Sequence, residues 1–207
     1  MNSYNRRGEF LANLPPVVKV ILITNIVLFI LDMFTGSAVG RLLALYSIHT
    51  KAFIPYQLVT HMFIHGGMGH IFFNMFGLFI FGRVLESVIG SKKFFTLYFI
   101  SGLGAAGLQL LIYYFQGTPA AMVGASGAIM GILAAFAVYF PNVELMLIFL
   151  PVPVKAKYFV PIYAVLELFL GVANFQIDNI AHFAHLGGAL FGFILVMIWK
   201  KNQFKVY

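Results

Sequence analysis

Six apolar segments, at about 17–34, 69–85, 94–115, 123–140, 158–172 and 180–199, constrain this chain more than any other feature. Each is close to the roughly 20 residues a helix needs to cross a bilayer. Of the 207 residues, 61% are hydrophobic and 9% charged, whereas a soluble domain carries about 25% charged residues. So few polar side chains cannot cover the surface of a water-soluble fold. The expectation is therefore an all-α membrane protein, a single domain over 1–207 with six transmembrane helices and short loops. Arg6 and Arg7 before the first segment resemble the start of a signal peptide. No small-residue cleavage pattern closes that segment and Asp32-Met33-Phe34 ends it, so it reads as a span.

The 13 basic residues are placed unevenly. An even number of spans puts both termini on one side, with Arg6, Arg7, Lys19, Arg83, Lys92, Lys93, Lys155, Lys157, Lys200, Lys201 and Lys205. Only Arg41 and Lys51 fall on the other side. The positive-inside rule then makes both termini cytoplasmic. With no signal or transit segment in view, the expected location is a bacterial-type plasma (inner) membrane. No basic stripe with interleaved aromatics accompanies the net charge of +7, so nucleic acid is not an expected partner. The absence of cysteine excludes disulfides, thiolate zinc sites and thiol nucleophiles. The long outer connection, 35–68, mixes Leu42, Leu43, Leu45, Phe53 and Ile54 with few charges and suits the membrane interface. Glycines at four-residue spacing, such as Gly127 and Gly131 or Gly188 and Gly192, share a helix face and allow close helix approach.

Polar groups inside a membrane are costly and are functional candidates by default. Three clusters stand out: His61, His65, His70 and Asn74; Gly124-Ala125-Ser126-Gly127; and His182, His185 and Gly188. The second, fourth and sixth segments all enter from the outer side. At 1.5 Å per residue, His70, Ser126 and His185 then lie within about 10 Å of the outer helix ends. Residues far apart in sequence thus share one depth. A serine hydroxyl is a weak nucleophile until a base takes its proton, and histidine is the commonest base near neutral pH. The oxygen of an attacked amide needs preorganised donors. His70 and Asn74, four apart on one helix face, could supply them. No acidic residue presents itself as a third member: Asp178 falls in an outer loop, and Glu167, near the middle of the fifth segment, has no role assigned by the sequence. A two-residue Ser–His arrangement follows.

At these residues the chain closely resembles the rhomboid family of intramembrane serine proteases, over nearly its whole length. The resemblance is carried by His61-x3-His65-x4-His70-x3-Asn74, Gly124-x-Ser126-Gly127, His185-x2-Gly188-x3-Gly192 and Glu86-x3-Gly90-x3-Phe94. It implies a six-helix rhomboid-like bundle with Ser126 as nucleophile and His185 as general base. His70, Asn74 and the Ser126 amide would form the oxyanion hole, with no cofactor and no metal. His185 is preferred to His182 because it precedes the glycine pattern at the family spacing. The resemblance further implies single-span membrane protein substrates, cut near the outer face after lateral entry from the lipid bilayer. Two departures stand out: Tyr56-Gln57 where many members have an aromatic-Arg pair, and Met130 where many have an aromatic residue packed on the catalytic ring. His61 and His65 read as structural ties between the outer loop and the second segment.

Two other readings compete. His61/His65 and His182/His185 have spacings that could hold a metal on a helix, but Met62 stands where a zinc protease pattern needs glutamate. A catalytically dead relative that binds membrane clients would typically lack the serine or histidine, and both are present.

Overall fold

The computed structural model describes residues 13–117, 119–147, 150–173 and 181–203. Arg6, Arg7, Asp178, Lys205 and most of the connection 173–179 lie outside the described residues. Each apolar segment forms a helix. In chain order the elements are α1 (Pro16–Phe34), α2 (Ala38–Leu43), β1 (Leu45–Tyr46), α3 (Gln57–Thr60), α4 (Met68–Ile89) and α5 (Ser91–Gln116). β2 (Ala121–Met122), α6 (Ser126–Tyr139), β3 (Glu144–Leu147), β4 (Leu150–Lys155), α7 (Ala156–Ala173) and α8 (His182–Gln203) follow. Five of these helices, α1, α4, α5, α7 and α8, are long and apolar enough to cross a membrane, and the sixth apolar helix, α6, has 14 residues. Within α4 the stretch Leu78–Gly82 widens into a π-helical turn.

Helix directions follow from which residues face each other. Gly127 of α6 packs on the Ala184 carbonyl of α8, and Gly192 of α8 lies against Gly131 of α6, so α6 and α8 run the same way. Gly77 of α4 meets Ile129 of α6, and Gly124 just before α6 meets His70 of α4, so α4 is parallel to both. Ala105 and Ser101 of α5 face Gly127 and Gly131 in reverse order, which makes α5 antiparallel to α6. The central three helices α5, α6 and α8 meet through Gly104, Gly127, Gly131, Gly187, Gly188 and Gly192, where an added methyl would strike a neighbour. Packing of this kind holds helices together where lipid offers no hydrophobic drive between them.

The Glu86-x3-Gly90-x3-Phe94 stretch has a local explanation. Glu86 is buried at the end of α4 and accepts hydrogen bonds from the Val17 and Val18 amides (3.0 and 2.8 Å) and from the Ser91 hydroxyl (2.6 Å). A carboxylate thereby caps the first turn of α1, whose free amides favour negative charge. Gly90 turns the chain at φ +81, a left-handed conformation suited to glycine. Phe94 is fully buried in the core beside Val18 and Leu85.

The long connection is tied down by backbone and amide contacts. β1 pairs antiparallel with β2, Leu45 opposite Met122 and Tyr46 opposite Ala121, which fastens the loop to the segment entering α6. Gln57, 1% exposed, is its hub. The Gln57 side-chain oxygen Oε1 accepts from the Ile54 and Tyr46 amides (3.1 and 3.5 Å), and its side-chain NH2 donates to the Ala52 and Leu42 carbonyls (3.0 and 3.4 Å). The departure at Tyr56-Gln57 thus gives the loop an uncharged clasp. Gln57→Ala would leave buried backbone groups unpaired and is expected to lower stability by about 1–3 kcal/mol, read as an earlier thermal transition in detergent. An unchanged transition would remove the clasp.

The strands were not expected from sequence. β3 and β4 form an antiparallel hairpin between α6 and α7, Leu145 opposite Val154 and Glu144 opposite Lys155. Pro151 and Pro153 exclude a helix interior here, while a short two-stranded pair tolerates proline at its edges.

Candidate active site

Three helix beginnings converge. His70 is the third residue of α4, Ser126 the first of α6 and His185 the fourth of α8. Because these helices are parallel, the three side chains lie at one end of the bundle. His185 Nε2 is 2.8 Å from Ser126 Oγ. The Ser126 hydroxyl is half-buried and His185 is 12% exposed.

Gly124 explains how the chain delivers the serine. Its φ of +123 lies where residues with a side chain are strained. A Cβ there would also stand 2.7 Å from His70 Nε2. The ring of His70 therefore sits directly against the turn that leads into Ser126. The His70 Nδ1 accepts from the Gly66 amide at 3.3 Å, which leaves the ring proton on Nε2, the atom facing Gly124. The first amides of a helix lack intrahelical acceptors, so the Ser126 N–H is a donor at the same place. Asn74 donates through Nδ2 to the His70 carbonyl, 2.8 Å. That bond spends one of its two amide protons.

His61 and His65 hold this corner. The His61 carbonyl accepts from the Gly124 amide at 2.9 Å, and its Nδ1 contacts the Gln57 carbonyl at 2.8 Å. His61 thus joins the outer loop to the turn before α6, where an attachment to the second segment was expected. His65 meets the His70 ring edge-on, centroids 5.0 Å apart. Burial pushes the His61 imidazole down to about 4, against the raising effect of the Gln57 carbonyl. Burial, followed by repulsion from His70, pushes His65 down to about 3. Both rings are neutral at physiological pH.

On the far side of His185 lies a residue with no role assigned from the sequence. Glu167 of α7 is 3% exposed. One carboxylate oxygen, Oε1, is 3.0 Å from His185 Nδ1, within ion-pair distance though not aligned as a hydrogen bond. The other, Oε2, is 2.7 Å from His182 Nδ1, and Tyr163 hydrogen-bonds the same group. Gln109 of α5 was also missed: its carbonyl oxygen accepts from the Ala184 amide at 3.1 Å and ties the start of α8 to α5. Met130 is buried in a cluster with Leu133, Val160 and Ala189. Gly127 and Gly188 meet at the α6–α8 crossing, where a Cβ on Gly188 would overlap the Gly127 carbonyl. A cavity of about 10 Å³, bounded by His61, Gly124, Ser126 and Ala184, has room for about one water.

Comparisons with known proteins agree on a family. A profile described as the rhomboid domain matches residues 53–202. Presenilin-associated rhomboid-like protein A, mitochondrial, of Danio rerio is 30% identical over 152 residues, 70% of this chain and 39% of that protein. Rhomboid protein 1, mitochondrial, of Saccharomyces cerevisiae is 30% identical over 158 residues, 73% of this chain and 44% of that protein. Rhomboid-like protein 11, chloroplastic, of Arabidopsis thaliana is 29% identical over 205 residues, 95% of this chain and 69% of that protein. The chain thus spans about two-fifths of the length of the mitochondrial relatives it matches. These names overturn the expectation of a bacterial plasma membrane with cytoplasmic termini, since the relatives are mitochondrial and chloroplastic proteins. The physical reason is that an asymmetry of basic loops orders the two faces of a bilayer and does not say which bilayer it is.

Proposed function

Since the chain belongs to the rhomboid family, whose members are in general intramembrane serine proteases, we propose that it is an active endopeptidase that cuts the transmembrane segments of single-span proteins. Ser126 is the nucleophile and His185 the general base in this reading. The observation that carries it is the 2.8 Å separation of Ser126 Oγ and His185 Nε2, across two helices 59 residues apart in sequence.

The reaction follows from these groups. Ser126 Oγ forms a bond to the scissile carbonyl carbon as its proton passes to His185 Nε2, and the carbonyl electron pair moves onto oxygen. The Ser126 amide, the Nε2–H of His70 and the second amide proton of Asn74 are the donors for that oxygen. Collapse breaks the C–N bond, and Nε2 gives its proton to the departing amine. A water then adds its hydroxyl to the acyl carbon and its proton to Nε2, and Ser126 leaves with that proton. The cavity beside Ser126 suits the water this second half needs.

The test is cleavage of a panel of single-span membrane proteins by purified protein in detergent. Activity should be lost on treatment with a serine-reactive phosphonate or isocoumarin and kept in a chelator. Loss with the chelator alone would replace the serine reading with the metal reading. A wild-type protein that binds these substrates without cutting any would favour the inactive relative.

A further inference from the structure

We infer that Glu167 is a positioning residue for His185, a third member behind the Ser126–His185 pair. This inference rests on the serine protease reading above. The three groups lie in series: Ser126 Oγ on Nε2 of the ring, Glu167 Oε1 on Nδ1 of the same ring, 2.8 and 3.0 Å away. An imidazole that must accept a proton at Nε2 needs its resident proton on Nδ1. A carboxylate 3.0 Å from Nδ1 favours that tautomer through its charge and stabilises the imidazolium formed during attack.

The surroundings of Glu167 argue against a packing role. α7 is otherwise turned outward: Ile162, Val165, Leu166, Leu168 and Phe169 are all exposed large apolar side chains, and Val160, Ala156 and Glu167 are its buried residues. A buried carboxylate in hydrocarbon is expensive unless fully paired. An apolar residue at this position would pack at far lower cost. Glu167 is instead surrounded by His185, His182 and Tyr163. Pairing with His182 at 2.7 Å holds the carboxylate from its other oxygen, with Oε1 3.0 Å from His185 Nδ1.

The experiment compares wild type, Glu167→Gln, Glu167→Asp and Ser126→Ala, as full-length protein in detergent, on one single-span substrate. Glu167→Gln keeps the shape and removes the charge. It should lower kcat by about 100-fold or more, by analogy with loss of the acid in a serine triad, with KM within about 3-fold of wild type. Glu167→Asp should recover part of kcat. A second readout needs no variant: in wild type labelled with 15N-histidine, His185 should carry its proton on Nδ1. Glu167→Gln at wild-type kcat beside an inactive Ser126→Ala would overturn the Glu167 assignment alone. Should Glu167→Gln fail to fold, the wild-type spectrum decides, and a proton on Nε2 overturns the assignment. Wild-type cleavage by Ser126→Ala would overturn the underlying reading instead.

Discussion

Ser126→Ala is expected to reduce cleavage by a factor of about 10⁴ or more while the protein remains folded. The two halves of that expectation have separate causes. In the proposed mechanism the hydroxyl is the atom that bonds to the substrate carbon, and it lies 2.8 Å from His185. Its contribution to folding is small: it is half-buried and its hydroxyl contacts His185. Loss of a single hydrogen bond costs about 1 kcal/mol. His185→Ala should be comparably inactive, and the double variant little worse than either, because groups acting in one proton transfer are not additive. Cleavage assays beside thermal scans separate the two halves. Turnover by either single variant near the wild-type rate would refute the assignment.

Gly188→Val should be the most damaging change outside the reacting groups. A Cβ at Gly188 would overlap the carbonyl group of Gly127, which is backbone and cannot rotate aside. The α6–α8 crossing would have to open by ångströms, carrying Ser126 away from His185. A misplacement of about 1 Å costs on the order of 100-fold in rate, so cleavage should fall at least that far even if the bundle survives. Gly107→Val provides the contrast, since a Cβ on Gly107 meets nothing within 4 Å. It should fold and cut like wild type. Equal behaviour of the two valine variants, in thermal stability and in cleavage, would show that the crossing does not hold the site together.

Much of this arrangement was legible in the sequence because a bilayer simplifies the problem. Apolar length gave the helices, parity gave their directions, and rise per residue put His70, Ser126 and His185 at one depth. The observed starts of α4, α6 and α8 at Met68, Ser126 and His182 agree with that reasoning to within three residues. Glu167 was missed through a placement error of the same kind. Read as mid-span, it is six residues from the end of α7 at Ala173, about 9 Å at 1.5 Å per residue. His185, three residues into α8, is about 4.5 Å from its helix end by the same measure, so both lie in the outer part of the bundle. Gln109 escaped for a different reason: a neutral amide carries no charge to mark it, and the Ala184 amide it accepts from is backbone, which has no sequence signature; Gln57 stood out only as a departure, its backbone partners being equally unmarked. The hairpin β3–β4 was lost because a short apolar run with prolines has no helical or strand period to read.

The clasp around Gln57 has a consequence for the conditions the site can endure. Its four contacts join an amide to backbone, and the histidines beside it are neutral. Mobile ions weaken attraction between formal charges and leave dipole contacts of this sort nearly untouched. With glutamine there, the connection to the segment entering α6 is expected to stay fastened in brine and in dilute buffer alike.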